Sequence, residues 1–130
     1  MKQIAKLAIV GSRTFNDYAL LERFILDTFD YSTLREIISG GAIGTDTLAA
    51  QFAHTFNLPL TIFLPQWHRH GRAAGNIRNR AIVDAAEFVL AVSIQNSPGT
   101  RSTINYCQKV HKPYLLLTLS ADGHTLTVVP

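Results

Sequence analysis

Ser39-Gly40-Gly41-Ala42-Ile43-Gly44-Thr45-Asp46 joins a short apolar run, Leu34 to Ser39, to a segment whose apolar residues recur at helical spacing. Gly40, Gly41 and Gly44 fall within five positions at this strand-to-helix junction. Bulkier residues there would hold a ligand away from the backbone. A tight turn alone is satisfied by one or two glycines. Three, followed by Thr45 and Asp46, favour a phosphate or ribose site. The stretch is not a P-loop, since no Gly-Lys-Ser/Thr follows, and it lacks the G-x-G-x-x-G spacing of a dinucleotide fingerprint. Thr45 or Asp46 can cap the helix, and Asp46 is equally suited to a ribose hydroxyl.

Three more polar stretches occur along the chain: Gly11-Ser12-Arg13, the run from Gly71 to Asn79 that contains Gly75-Asn76-Ile77-Arg78-Asn79, and Ser97-Pro98-Gly99-Thr100-Arg101. Each follows an apolar, strand-like run. In an open parallel α/β sheet such loops gather along one edge, where these folds bind ligands. Arg78 lies in the first turns of a helix, which the helix dipole disfavours for a cation. Its place there makes sense if it faces an anion; the alternative is a surface arginine bonded to a nearby carbonyl or carboxylate. The donors at the start of the helix beginning near Thr100 suit a phosphate.

The strand-like runs are Ile4–Val10, Leu34–Ser39, Leu60–Leu64, Phe88–Val92 and Tyr114–Leu119. Helical spacing predicts a helix capped by Asp17 with Leu20, Leu21, Phe24, Ile25, Thr28 and Phe29 inward. A second starts near Thr45 with Leu48, Ala49, Phe52, Ala53 and Phe56 inward. A third runs from Ala73 to Ala86 on Ile77, Ala81, Ile82 and Ala85, and a fourth from Thr100 to Val110 on Ile104, Cys107 and Val110. Pro65 to Gly71 reads as a loop. Asp122-Gly123 is a turn signal, and Thr125–Val129 a possible antiparallel edge strand. Strands and helices alternate, and the strands are nearly all apolar. That predicts an α/β fold, doubly wound, with a mostly parallel five-stranded sheet and helices on both faces.

The chain has 130 residues, 47% hydrophobic and 16% charged, which suits one compact domain over residues 1–130. No apolar run reaches the ~20 residues of a membrane span, and a cytoplasmic protein without membrane contact is expected. Cys107 is the sole cysteine, so no intrachain disulfide forms. Net charge is +3, and Arg13, Arg69, Arg72, Arg78, Arg80 and Arg101 lie in or beside the polar loops, whereas Lys2, Lys6, Lys109 and Lys112 lie elsewhere. Trp67 could stack on a base or simply pin its loop. His68 and His70 lack the accompanying carboxylates or cysteines of a metal site, so neither metal nor cofactor is expected.

Gly-Ser-Arg-Thr-Phe (11–15), Ser-Gly-Gly-Ala-x-Gly-x-Asp (39–46), Ala-Gly-x-x-Arg-Asn (74–79) and Gly-Thr (99–100) together resemble the YspA-like branch of the SLOG superfamily, over nearly the whole chain to about Pro113. The resemblance implies a Rossmann-like fold. It also implies kinship with the LOG-type phosphoribohydrolases, the DNA-processing protein DprA, and sensor domains for nucleotide-derived signals. Gly40 and Gly41 match the phosphate-side glycines. Arg78 matches the arginine of a LOG Arg-Lys pair, with Asn79 where the lysine would be. Gly99 and Thr100 match the end of the LOG signature Pro-Gly-Gly-x-Gly-Thr-x-x-Glu. Its catalytic glutamate is replaced by Thr103, which cannot act as a carboxylate, and that weakens the case for N-glycosidic cleavage. Superfamily habit implies a homodimer.

The expected function is binding or sensing of a phosphate-bearing nucleotide derivative of the ADP-ribose, NAD or nucleoside-phosphate class. The expected contacts are Gly11, Ser12, Arg13, Ser39, Gly40, Gly41, Ala42, Gly44, Thr45, Asp46, Gly75, Arg78, Asn79, Gly99, Thr100 and Arg101, with Trp67 for base stacking. One alternative is a nucleotide N-glycosidic hydrolase with Asp46 and Arg78 as its catalytic pair. A second is single-stranded nucleic-acid binding. A pI near 9.3 permits it, but the arginines surround glycine loops rather than follow a helix face, so nucleic acid is expected to be an unlikely partner.

Overall fold

The computed structural model describes all 130 residues. Its six strands are β1 (Lys6–Gly11), β2 (Glu36–Ser39), β3 (Leu60–Ile62), β4 (Phe88–Val92), β5 (Tyr114–Leu119) and β6 (Leu126–Val128). They form one sheet in the order β3-β2-β1-β4-β5-β6. The first five are parallel, and β6 runs antiparallel to β5 at the edge, as the Asp122-Gly123 turn predicts. The helices are α1 (Tyr18–Thr28), α2 (Thr45–Thr55), α3 (Trp67–His70), α4 (Ala74–Ala85) and α5 (Pro98–Val110).

Side chains alternate across a strand, and here both faces are apolar because helices cover both. Leu7 and Ile9 of β1 join the core beneath α1 and α2, with Leu21, Ile25, Ala49 and Phe52. Ala8 and Val10 of the same strand join the other core, with Ile82 and Val83 of α4 and Ile104 and Cys107 of α5. β4 is buried along its whole length.

The chain leaves β1 toward β2 and β3 on one side, then returns to place β4 on the other. Strand order therefore reverses between β1 and β4, and a crevice opens beyond their carboxyl ends.

Three local expectations differ from the structure. Ile77 and Val110 are 40% and 39% exposed rather than inward. Ile77 sits five residues before Ile82, half a turn off the buried face at 3.6 residues per turn, and Val110 is the last residue of α5. The Pro65–Gly71 stretch contains the short helix α3.

Candidate functional site

Gly11 to Thr14 at the end of β1, Ala42 and Asp46 before and within α2, Arg78 and Asn79 of α4, and Ile94, Gln95 and Ser97 to Thr100 before and within α5 converge on one cleft of about 470 Å³. Of the residues expected there, Gly11, Ser12, Arg13, Ala42, Asp46, Arg78, Asn79, Gly99 and Thr100 line it.

Arg78 is the organised cation of this cleft. Its Nη1 donates to the Gly40 carbonyl at 2.6 Å and to the Phe63 carbonyl at 3.4 Å, and its Nε donates to Asn79 Oδ1 at 2.9 Å. Neither hydrogen of Nη2 is engaged by the protein. A guanidinium carries five such donors in a rigid fork, so the fork is fixed by three bonds and two donors remain. Burial, the largest influence, lowers the Arg78 pKa; Asp46 opposes this and the charge of Arg13 adds to it. An arriving anion would offset both the burial and the Arg13 repulsion.

α5 presents its N-terminus to the same cleft. Its N-cap residue Ser97 makes no side-chain cap bond, Pro98 occupies the first turn, and no acid lies there. Helix geometry leaves the Gly99 and Thr100 N–H groups without partners in the helix. The Thr100 hydroxyl donates to Ser97 Oγ at 3.2 Å, and that of Thr103 to the Gly99 carbonyl at 3.2 Å.

Ser12 and Thr45 hold the frame. Ser12 N–H donates to the Val92 carbonyl at 2.8 Å, and Ser12 Oγ accepts from Ile94 N–H at 2.8 Å. Thr45 sends both its N–H, at 3.1 Å, and its hydroxyl, at 2.8 Å, to the Ser12 carbonyl. Two polar side chains thus tie together the loops after β1, β2 and β4. Gly44, at φ +80°, lets α2 begin directly against the backbone of Arg13, where any Cβ would collide.

Asp46 is buried in the first turn of α2. Its Oδ2 accepts from Ala42 N–H at 3.0 Å, while Oδ1 is enclosed without a partner. Burial raises its pKa. The Ala42 N–H and the charges of Arg78 and Arg13 pull it back.

The other expected residues lie outside the cleft lining. The Ser39 hydroxyl donates to the Ile9 carbonyl at 2.7 Å. Gly40 packs between Arg78 and Asp46, Gly41 against Leu64 and Ile62, and Gly75 against Trp67. Arg101 is exposed and bonds the Asn96 carbonyl at 3.3 Å. Trp67 is 56% exposed. Thr14, Ile82, Gln95 and Thr103 line the cleft without having been expected as contacts. Ile82 lies four residues after Arg78 and Thr103 four after Gly99, so helical spacing alone could have found both.

A family model described as "YspA, cpYpsA-related SLOG family" matches residues 5–70. The Gene 61 protein of Mycobacterium phage D29 is 30% identical over 117 residues, covering 85% of this chain and 94% of that protein. Among solved structures, DNA processing protein A from Helicobacter pylori superposes with a TM-score of 0.66 at 18% identity, over 95% of this chain and 69% of that one. That structure was described for its single-stranded DNA binding mode. The expectation that nucleic acid is an unlikely partner is therefore corrected: a protein sharing this fold binds single-stranded DNA, so the absence of a basic helix face does not count against such a partner. The chain belongs to the YspA, cpYpsA-related SLOG family.

Proposed function

We propose that the cleft binds the phosphate of a nucleotide, with Arg78 Nη2 and the N-terminus of α5 as its anchors. The observation that carries this reading is the Arg78 fork, fixed by three bonds to its own protein with two donors left over. Arginine's planar fork matches phosphate geometry.

The nucleotide can arrive in two forms. As a free molecule of the ADP-ribose or nucleoside-phosphate class, it suits a cleft of about 470 Å³. As a unit of single-stranded DNA, it has the further support of the fold neighbour, which binds such strands; this form is the better supported. Hydrolysis of an N-glycosidic bond has less behind it. Asp46 spends one carboxylate oxygen on Ala42 and encloses the other.

Binding of thymidine, thymidine monophosphate, ADP-ribose and oligothymidylate, measured by calorimetry, tests the reading. Nucleotides bind, thymidine does not, and Arg78→Ala weakens every phosphate-bearing ligand at least tenfold. For the oligonucleotide alone, affinity falls steeply with salt, with a log–log slope of about 0.7 per neutralised phosphate. Equal affinities for thymidine and its monophosphate, or an Arg78→Ala variant that binds like wild type, would remove the proposal.

A further inference from the structure

We propose that the segment from Leu64 to Arg72 is a base-stacking platform that extends the cleft into a track for single-stranded nucleic acid, with a base on Trp67 and phosphates beside Arg69 and Arg72. The inference rests on the reading of the cleft as a nucleotide-phosphate site.

Trp67 is the only tryptophan in the chain, and it is 56% exposed. The edge of the ring approaches α4: its Cη2 lies 3.6 Å from where a Cβ on Gly75 would sit. More than half of the residue's surface faces water, although burial of such a ring is among the larger gains open to any side chain. Loop pinning therefore does not account for it. Leu64, three residues before, is 65% exposed.

Charge identifies the occupant. No Asp or Glu lies between Asp46 and Asp84, while Arg69, Arg72, Arg78 and Arg80 do. Arg69 and Arg72 are exposed on either side of Gly71, and His68 is exposed next to Trp67. An exposed aromatic beside exposed arginines suits single-strand binding, where bases stack and arginines follow the backbone.

Geometry links the platform to the cleft. Gly75, whose missing Cβ would lie against the Trp67 ring, is three residues before Arg78 on α4. Residues three apart share a helix face. A strand whose phosphate sits on Arg78 would thus meet the indole one helical turn away.

The test titrates the full-length chain with an oligothymidylate of about ten nucleotides, within the usual single-strand site size, and separately with thymidine monophosphate. Trp67 emission and the anisotropy of a labelled oligonucleotide are followed. The oligonucleotide quenches Trp67 and the monophosphate leaves its emission unchanged. Trp67→Ala weakens the oligonucleotide about tenfold, the usual loss for one stacked base; monophosphate affinity is unchanged, and Trp67→Phe retains most strand binding. If Trp67→Ala binds the oligonucleotide like wild type while Arg78→Ala still loses the monophosphate, the platform is overturned and the cleft reading survives. If Arg78→Ala also leaves the monophosphate unaffected, the cleft reading fails, and this inference fails with it. A Trp67→Ala variant that changes only self-association would likewise overturn the platform in favour of a protein interface.

Discussion

Arg78 and Asp46 flank the α-carbon of Gly40: a Cβ placed there would lie 2.7 Å from Arg78 Nη1 and 2.9 Å from Asp46 Oδ2. The Gly40 carbonyl is also the acceptor that fixes Nη1. Glycine at this point lets a cation from α4 and an acid from α2 approach one backbone segment from two sides. The second glycine-rich stretch of the chain therefore serves the cleft by making room for its arginine.

Gly40→Ala should displace Arg78. Overpacking of this kind costs about 1–3 kcal/mol, read as a lower urea midpoint, and the nucleotide affinity should fall at least as far as in Arg78→Ala. A variant with unchanged midpoint and affinity would show that the fork is free to move.

Gly99 and Gly75 should behave differently from Gly40 and from each other. A Cβ on Gly99 meets nothing within 4 Å but projects from a cleft-lining residue. Gly99 is the second residue of its helix, as Gly75 is of α4, so Gly99→Ala should gain up to ~1 kcal/mol of stability and yet lose nucleotide affinity. Gly75→Ala should make an ordinary contact with Trp67 and gain up to ~1 kcal/mol, the usual difference between alanine and glycine within a helix. Thermal melts with and without ligand separate the two.

Asp46 should make stability depend on pH. Burial raises its pKa in the folded protein above its ordinary value of 3.8. The folded state then binds more protons than the unfolded one between the two pKa values, so stability falls as pH rises through that window. The contribution is complete below the unfolded value and lost above the folded one. Relative to Asp46→Asn, the wild type should lose stability as pH is raised from about 3.8 upward. Urea titrations of both proteins over this range check the sign; a gain with rising pH would refute it.

Cys107 should be inert in the native protein. It is fully buried against the α4–α5 side of the sheet, and burial pushes its pKa to about 11. Thiolate is the reactive form, so a thiol reagent at neutral pH should label the chain only after denaturant is added. Rapid labelling without denaturant would mean that α5 opens readily.

Much of this architecture is written locally. The alternation of apolar strands with amphipathic helices follows from hydrophobic period alone, and it placed every strand in its observed position to within a few residues. The glycine-rich loops marked the edge that carries the cleft for the same reason: strand-to-helix junctions of a parallel sheet share one side. The misplacement of Ile77 shows the limit. Its spacing suited a core stripe, but the rotation of α4 was set by Ile82 and Val83 packing on β1 and β4.

The amino-acid order by itself determined the family, the parallel sheet and the set of loops that meet at its edge, because period, glycine placement and motif spacing are properties of neighbouring residues. Only the tertiary structure decided what each polar group does there. Ser12 and Thr45 became ties between loops, Asp46 a largely enclosed carboxylate, and Arg78 a braced fork with two donors to spare. The partners that fix Ser12, Thr45 and Arg78 Nη1 lie tens of residues away in the chain. Hydrogen-bond satisfaction in a packed interior is settled by which distant groups come within about 3 Å, and no local pattern carries that information.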